Sequence, residues 1–185
     1  MATARISRKP MWASLAAAFV AAALAAPADA PGSETARTVK GTLVLGLNTV
    51  QKLCRASQAG TAAKPAARIS CGATGVYTGQ PARAGANYYW TWVLPIGSDG
   101  KTKANGPETG RIGLNFGGGA IVYLTTNGAE KPRGTTTART TGTWTVKNGT
   151  GSYAGAPGKG TYTFDTKIVA GSFSVMKITL NGSIS

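Results

Sequence analysis

The chain lacks histidine and has few acidic residues, with only six carboxylates among 185 residues. The absence of histidine excludes Ser-His-Asp and Cys-His catalytic arrangements and every metal site that needs imidazole ligands. The sequence therefore predicts no metal site and no cofactor, and it indicates no particular reaction.

The positions of the six carboxylates also argue against acid–base catalysis. Asp29 and Glu34 lie in or beside the N-terminal leader, and we expect Asp99, Glu108 and Glu130 in turns. Only Asp165 falls within a predicted strand, where alternation places it on the face opposite Tyr162 and Phe164. Too few carboxylates lie in predicted strands to form a paired-carboxylate site. We therefore predict no catalytic residue and favour a protein that is not an enzyme.

Cysteine is nearly absent as well, since Cys54 and Cys71 are the only two. Their spacing is not that of a CxxC redox or metal pair. A disulfide between them would close a loop of about 17 residues and stabilise the fold by about 3 kcal/mol on the loop-entropy estimate. We predict this disulfide, with free thiols as the alternative.

The first 28 residues resemble an export signal. Arg5, Arg8 and Lys9 precede an Ala-rich run of about 16 uncharged residues, which is shorter than the roughly 20 residues of a membrane-spanning helix. We expect cleavage after Ala28 or Ala25, a linker over residues 29–36 and one domain over residues 37–185. The expected location is secreted or periplasmic, and a permanent membrane anchor is the alternative.

Positive charge dominates the rest of the chain. The net charge is +14, and it is near +11 once the three cations of the leader are removed. Such a balance favours anionic partners, including an anionic envelope polymer. The cations are dispersed and no nucleic-acid motif is present, so we expect no specific nucleic-acid binding.

Glycine, threonine and alternating apolar residues indicate an all-β domain. Eight strands in a small domain predict an antiparallel β-barrel, with a two-sheet β-sandwich as the alternative. The predicted spans are 39–47, 69–77, 86–95, 111–116, 120–126, 136–146, 162–168 and 173–184.

The most aromatic strand supplies the best candidate for ligand binding. Tyr88, Trp90 and Trp92 share one face of it, where they line an apolar cavity or fill the core. If Arg111 and Asp165 turn inward, these two residues are the candidate polar groups that orient a ligand beside the rings.

A glycine-rich segment carries the one resemblance to a known family. Gly149-Thr150-Gly151-Ser152-Tyr153-Ala154-Gly155-Ala156, followed by Gly158, resembles the GGTGxFxGAxG segment of the allene oxide cyclase and dirigent barrel superfamily. The resemblance implies an eight-stranded antiparallel barrel with an apolar cavity. The segment is structural in that superfamily, so it assigns no catalytic residue here.

The sequence thus predicts an exported, non-catalytic barrel that binds a small apolar, aromatic or anionic ligand. The first alternative, implied by the resemblance, is an enzyme that catalyses cyclisation or controls radical coupling. The second is a basic structural protein attached to an anionic envelope polymer.

Overall fold

The computed structural model describes residues 35–46, 54–169 and 172–185, and it contains nine strands in these ranges. The predicted signal peptide and most of the predicted linker lie outside the described residues. Within the described ranges, no helix is long and apolar enough to cross a membrane. The strands are β1 (Arg37–Leu45), β2 (Arg55–Thr61), β3 (Lys64–Gln80), β4 (Ala84–Pro95), β5 (Gly106–Asn115), β6 (Ile121–Pro132), β7 (Thr137–Thr150), β8 (Gly158–Val169) and β9 (Ser172–Ile184).

Eight of these strands close into an antiparallel barrel. Strands β3 to β9 pair in chain order, and β1 pairs both with β9 and with the C-terminal part of β3. Because every barrel strand has a partner on both sides, the closed sheet has no open edge. The predicted β-barrel is confirmed, and the two-sheet alternative is wrong.

Strand β2 lies outside the closed barrel and forms a hairpin with the N-terminal part of β3. The sequence predicts a loop here, because the segment is rich in Ala, Gly and Lys and has little to pack with. In the structure nearly every side chain of β2 is exposed. Cys54 and Cys71 form the predicted disulfide, with an S–S distance of 2.07 Å. The disulfide fixes the base of the hairpin to the barrel wall.

Large aromatic side chains fill the barrel interior, and they pack against glycines on the inner face of the sheet. A Cβ atom added to Gly160 or Gly182 would lie 2.5 Å from the Trp144 ring, and one added to Gly110 would lie 2.7 Å from the Tyr88 ring. These distances are far below van der Waals contact, so each glycine makes room for an aromatic ring that a larger residue would displace.

The glycine-rich segment closes one end of the barrel. It forms the β7–β8 connection, in which Gly151 and Gly155 adopt positive φ angles and a short 3₁₀ turn spans Gly151–Tyr153. Tyr153 is buried by this turn and packs on Phe116, with ring centroids 5.2 Å apart. A side chain at Gly149 would collide with the Tyr153 backbone. The segment is therefore a structural closure of the barrel.

Candidate binding site

The opposite end of the barrel opens into a cavity of about 550 Å³, which we call the mouth cavity. The ends of β4, β6 and β8 meet there with the starts of β7 and β9. About half of the lining side chains are apolar, and the rest are mostly threonines. The lining comprises Ile69, Trp92, Leu94, Thr102, Lys103, Ala104, Asn105, Glu130, Pro132, Gly134, Thr135, Thr136, Thr137, Ala138, Thr166, Ile168 and Phe173.

Glu130 is the buried carboxyl group of the mouth cavity. It is only 5% exposed, and its Oε2 atom has no hydrogen-bond partner. Burial, followed by the negative charge of Glu108, raises the pKa of Glu130 to about 7. The group therefore exchanges its proton near neutral pH, where it can donate or accept a hydrogen bond.

Glu108 lies deeper in the barrel and is fully buried. Its carboxylate accepts hydrogen bonds from the hydroxyls of Tyr88 (2.6 Å), Tyr162 and Thr126 (3.3 Å). Burial raises the pKa of Glu108, while these three donors oppose that increase. Burial and the adjacent carboxylate also raise the pKa of both tyrosines, so the tyrosines stay protonated and continue to donate.

The prediction that Glu108 and Glu130 lie in turns is wrong, because both residues face inward from strands β5 and β6. Asn127-Gly128 has the sequence of a hairpin turn, yet it lies within β6, and Gly128 pairs with Glu108 across the sheet. Asp99 does lie in a turn, as predicted. Among the described residues, the interior therefore holds two carboxyl groups, Glu108 and Glu130, which the sequence had placed in turns.

The three aromatic residues of β4 all face inward, as the alternation predicts. Tyr88 stacks on Trp90 and donates its hydroxyl to Glu108, which makes it part of the packed interior. Trp92 stacks on Phe164 with centroids 5.8 Å apart and on Phe173 with centroids 6.4 Å apart. Of the three predicted ligand contacts, only Trp92 lines the mouth cavity.

Two other predicted ligand residues lie outside the barrel. Arg111 is exposed and pairs with Tyr89 on the outer face. Asp165 forms a two-point ion pair with Arg139, with Nε–Oδ1 and Nη2–Oδ2 distances of 2.5 and 3.0 Å. The condition that Arg111 and Asp165 turn inward is not met, because both occupy the outward register of their strands. Asp165 lies on the face opposite Tyr162 and Phe164, as the alternation predicts.

Arg111 instead lines a groove of about 600 Å³ on the outer face, which we call the outer groove. Exposed Tyr89 and Arg55 line it as well, and threonines complete much of its wall. Among the described residues, the lining of the outer groove holds two arginines and no carboxylate, so its charge is positive. It suits an anionic partner, whereas the mouth cavity presents a carboxyl group.

Among the residues that the structure describes, no cluster of three or more cysteines and carboxylates is placed to hold a metal ion. Both cysteines are joined in the disulfide. The chain matches no protein-family model, no curated protein and no solved structure. The geometry of the mouth cavity is therefore the main guide to function.

Proposed function

We propose that this protein binds a small, largely apolar or aromatic ligand in the mouth cavity. The observation that carries the proposal is that Glu130, a buried carboxyl residue with one oxygen that has no hydrogen-bond partner, lines a cavity of ligand size. Buried polar atoms normally have hydrogen-bond partners, and a ligand would supply the one that Glu130 lacks. Trp92 and Phe173 would contact the apolar body of the ligand.

Nile red, an uncharged apolar dye whose emission shifts to shorter wavelength in apolar surroundings, tests the proposal. Ala138 lines the mouth cavity, so Ala138→Trp fills the space that the dye would occupy. Ala129 lies on the adjacent strand β6 and is exposed on the outer face, so Ala129→Trp adds the same ring outside the barrel. We expect Ala138→Trp to lose dye binding and Ala129→Trp to retain it. Equal binding by the two variants would contradict the proposal.

An enzyme is the second candidate, and Glu130 is the observation that favours it. A carboxyl group with a pKa of about 7 in an apolar cavity is suited to general acid–base catalysis at neutral pH. The glycine-rich segment resembles that of allene oxide cyclases, so the reaction to test is cyclisation of an unstable fatty-acid epoxide. Enzymatic cyclisation would yield an excess of one cyclopentenone enantiomer that Glu130→Gln abolishes, whereas a racemic product would argue against it.

We further propose that the protein is exported, as its N-terminal sequence predicts. The Cys54–Cys71 disulfide is compatible with an oxidising compartment. Mass spectrometry of the N-terminus of the protein recovered outside the cytoplasm tests this proposal. A chain that begins at residue 29 or 26 supports it, and an intact N-terminus on a cytoplasmic protein opposes it.

A further inference from the structure

We infer that the mouth cavity selects a protonated amine on an aromatic or apolar body, with Glu130 as the counter-ion of the ammonium group. The inference rests on the proposed function and names the chemical class of its ligand. It is supported by the oxygen of Glu130 that lacks a hydrogen-bond partner, by the aromatic rings in the same cavity lining and by the charges around Glu130.

One oxygen of the Glu130 carboxyl group lacks a partner. Glu130 Oε2 is buried without a hydrogen-bond donor, and in the described part of the chain Glu130 is the only carboxyl group that lines the mouth cavity. A buried carboxylate is costly unless a cation or several donors face it. An ammonium group offers both a positive charge and N–H donors, so it satisfies this oxygen better than a hydroxyl group does.

Aromatic rings form part of the wall of the mouth cavity. Trp92 and Phe173 both line the mouth cavity, and their rings are stacked with centroids 6.4 Å apart. Aromatic faces attract ammonium groups, most strongly in surroundings that exclude water. The same rings pack against an apolar or aromatic body. A carboxylate beside such rings is a combination that suits an organic ammonium ion.

The charges around Glu130 favour a cation over an anion. Glu108 lies behind it and adds negative charge, and Lys103 is the only cation that the described residues contribute to the lining. The Lys103 ammonium group is 2.7 Å from Asp99, which neutralises it at the rim. The cross-strand partners of Glu130 are uncharged, namely Gly106 on β5 and Thr140 on β7. Trp92, Thr166 and Phe173 from the other strands of the lining are uncharged as well. The cavity therefore disfavours an anion although the whole chain is basic.

Binding of an ammonium ion is coupled to the proton of Glu130. Without ligand, the pKa of about 7 keeps much of the carboxyl group protonated at neutral pH. The ammonium ion stabilises the ionised form, so the proton moves from Glu130 to the buffer when the ligand binds. Affinity for the ammonium ion should therefore increase as the pH rises through 7.

Three probes with one phenylethyl body test the inference: 2-phenylethylammonium, 2-phenylethanol and 3-phenylpropanoate. Isothermal titration calorimetry, in buffers with different ionisation enthalpies, measures affinity and proton release together. We expect the ammonium probe to bind at least about tenfold more tightly than the alcohol, as one buried ion pair permits. Glu130→Gln should lose both the preference and the proton release, and Asp165→Asn should keep both.

Several results would overturn the inference. Equal or tighter binding of the alcohol or the carboxylate would exclude selection of a cation. Binding of the ammonium probe without proton release and without an increase between pH 6 and 8 would exclude Glu130 as its counter-ion. The pH series uses the unaltered protein, so it decides the matter even if the variant does not fold. If Nile red binds but no ammonium probe does, the inference fails and the proposed function stands. If Nile red fails as well, the proposed function fails.

Discussion

Replacing Glu130 with glutamine removes one ionisable group from the barrel interior and leaves a side chain of nearly the same size. Glu130 is 5% exposed, and one of its oxygens has no partner. At acidic pH the protonated glutamic acid and the amide are both neutral, so the two proteins should have similar stability. They should diverge as the pH rises, because only Glu130 becomes charged.

The expected size of the effect follows from linkage between protonation and folding. The pKa of Glu130 rises from about 4.5 in the unfolded chain to about 7 in the barrel. Between these values the folded protein holds more protons than the unfolded chain, so its free energy of unfolding falls as the pH increases. The full difference corresponds to about 3 kcal/mol. Glu130→Gln should therefore exceed the wild type by up to about 3 kcal/mol at pH 8 and match it near pH 4.5.

Urea unfolding followed by tryptophan fluorescence, at intervals from pH 4.5 to 8, measures this difference. Glu108 has a raised pKa too and is present in both proteins, so the difference between them reports Glu130 together with its interaction with Glu108. Asp165→Asn removes a carboxyl group from the outer face and should keep the loss of stability between pH 5 and 7. If the wild type and Glu130→Gln have parallel pH profiles, Glu130 does not titrate as its burial implies.

Three further predictions test the packing and the outer surface. Gly182→Ala should lower the free energy of unfolding by about 1–3 kcal/mol in urea titrations, because its Cβ would lie 2.5 Å from the Trp144 ring. Tyr153→Ala should cost about 3 kcal/mol, because it removes a buried ring that packs on Phe116 and closes the barrel. Arg111→Gln should elute from heparin, a model anionic polymer, at a lower salt concentration than the wild type.

Each of these predictions has a matched control at another position. Gly85→Ala should be nearly neutral, since its Cβ would have no neighbour closer than 4.0 Å. Tyr123→Ala should cost less than the Tyr153 variant, because Tyr123 is partly exposed. Arg83→Gln removes the same charge outside the outer groove and should change elution less than Arg111→Gln. If each control equals its partner, the specific contacts do not explain the effects. Retention on heparin that is independent of salt would refute electrostatic attachment.

The barrel was predictable because most of its strands alternate clearly between an inward and an outward face. In β9, Met176, Ile178 and Leu180 are buried while Lys177 and Thr179 are exposed. A period of two is a local property, so it can be read from the sequence. The glycine-rich segment was predictable as a bent connection for the same reason, since its positive φ angles are local requirements.

Strand β2 could not be predicted, because its stability does not come from a buried face. Its residues are small or polar and nearly all exposed, and in the described part of the chain its only partner strand is β3. Backbone pairing and the disulfide hold it in place, and neither produces an alternating pattern in the residues between Cys54 and Cys71. The pairing of the two cysteines was nevertheless predictable, because there were only two.

Glu130 was predicted in a turn because Asn127-Gly128 has the sequence of a turn. In the structure Gly128 lies within a strand and has a different role. A Cβ at Gly128 would lie 2.5 Å from the Tyr162 hydroxyl, and that hydroxyl donates to Glu108. The space at Gly128 thus allows a tyrosine from β8 to reach a glutamate on β5, across the intervening strands. Asn-Gly predicts a turn when only neighbouring residues are considered, whereas here the glycine accommodates a side chain that is distant in sequence. Glu130, two residues further along β6, consequently shares the inward face of Gly128, and the candidate site depends on that orientation.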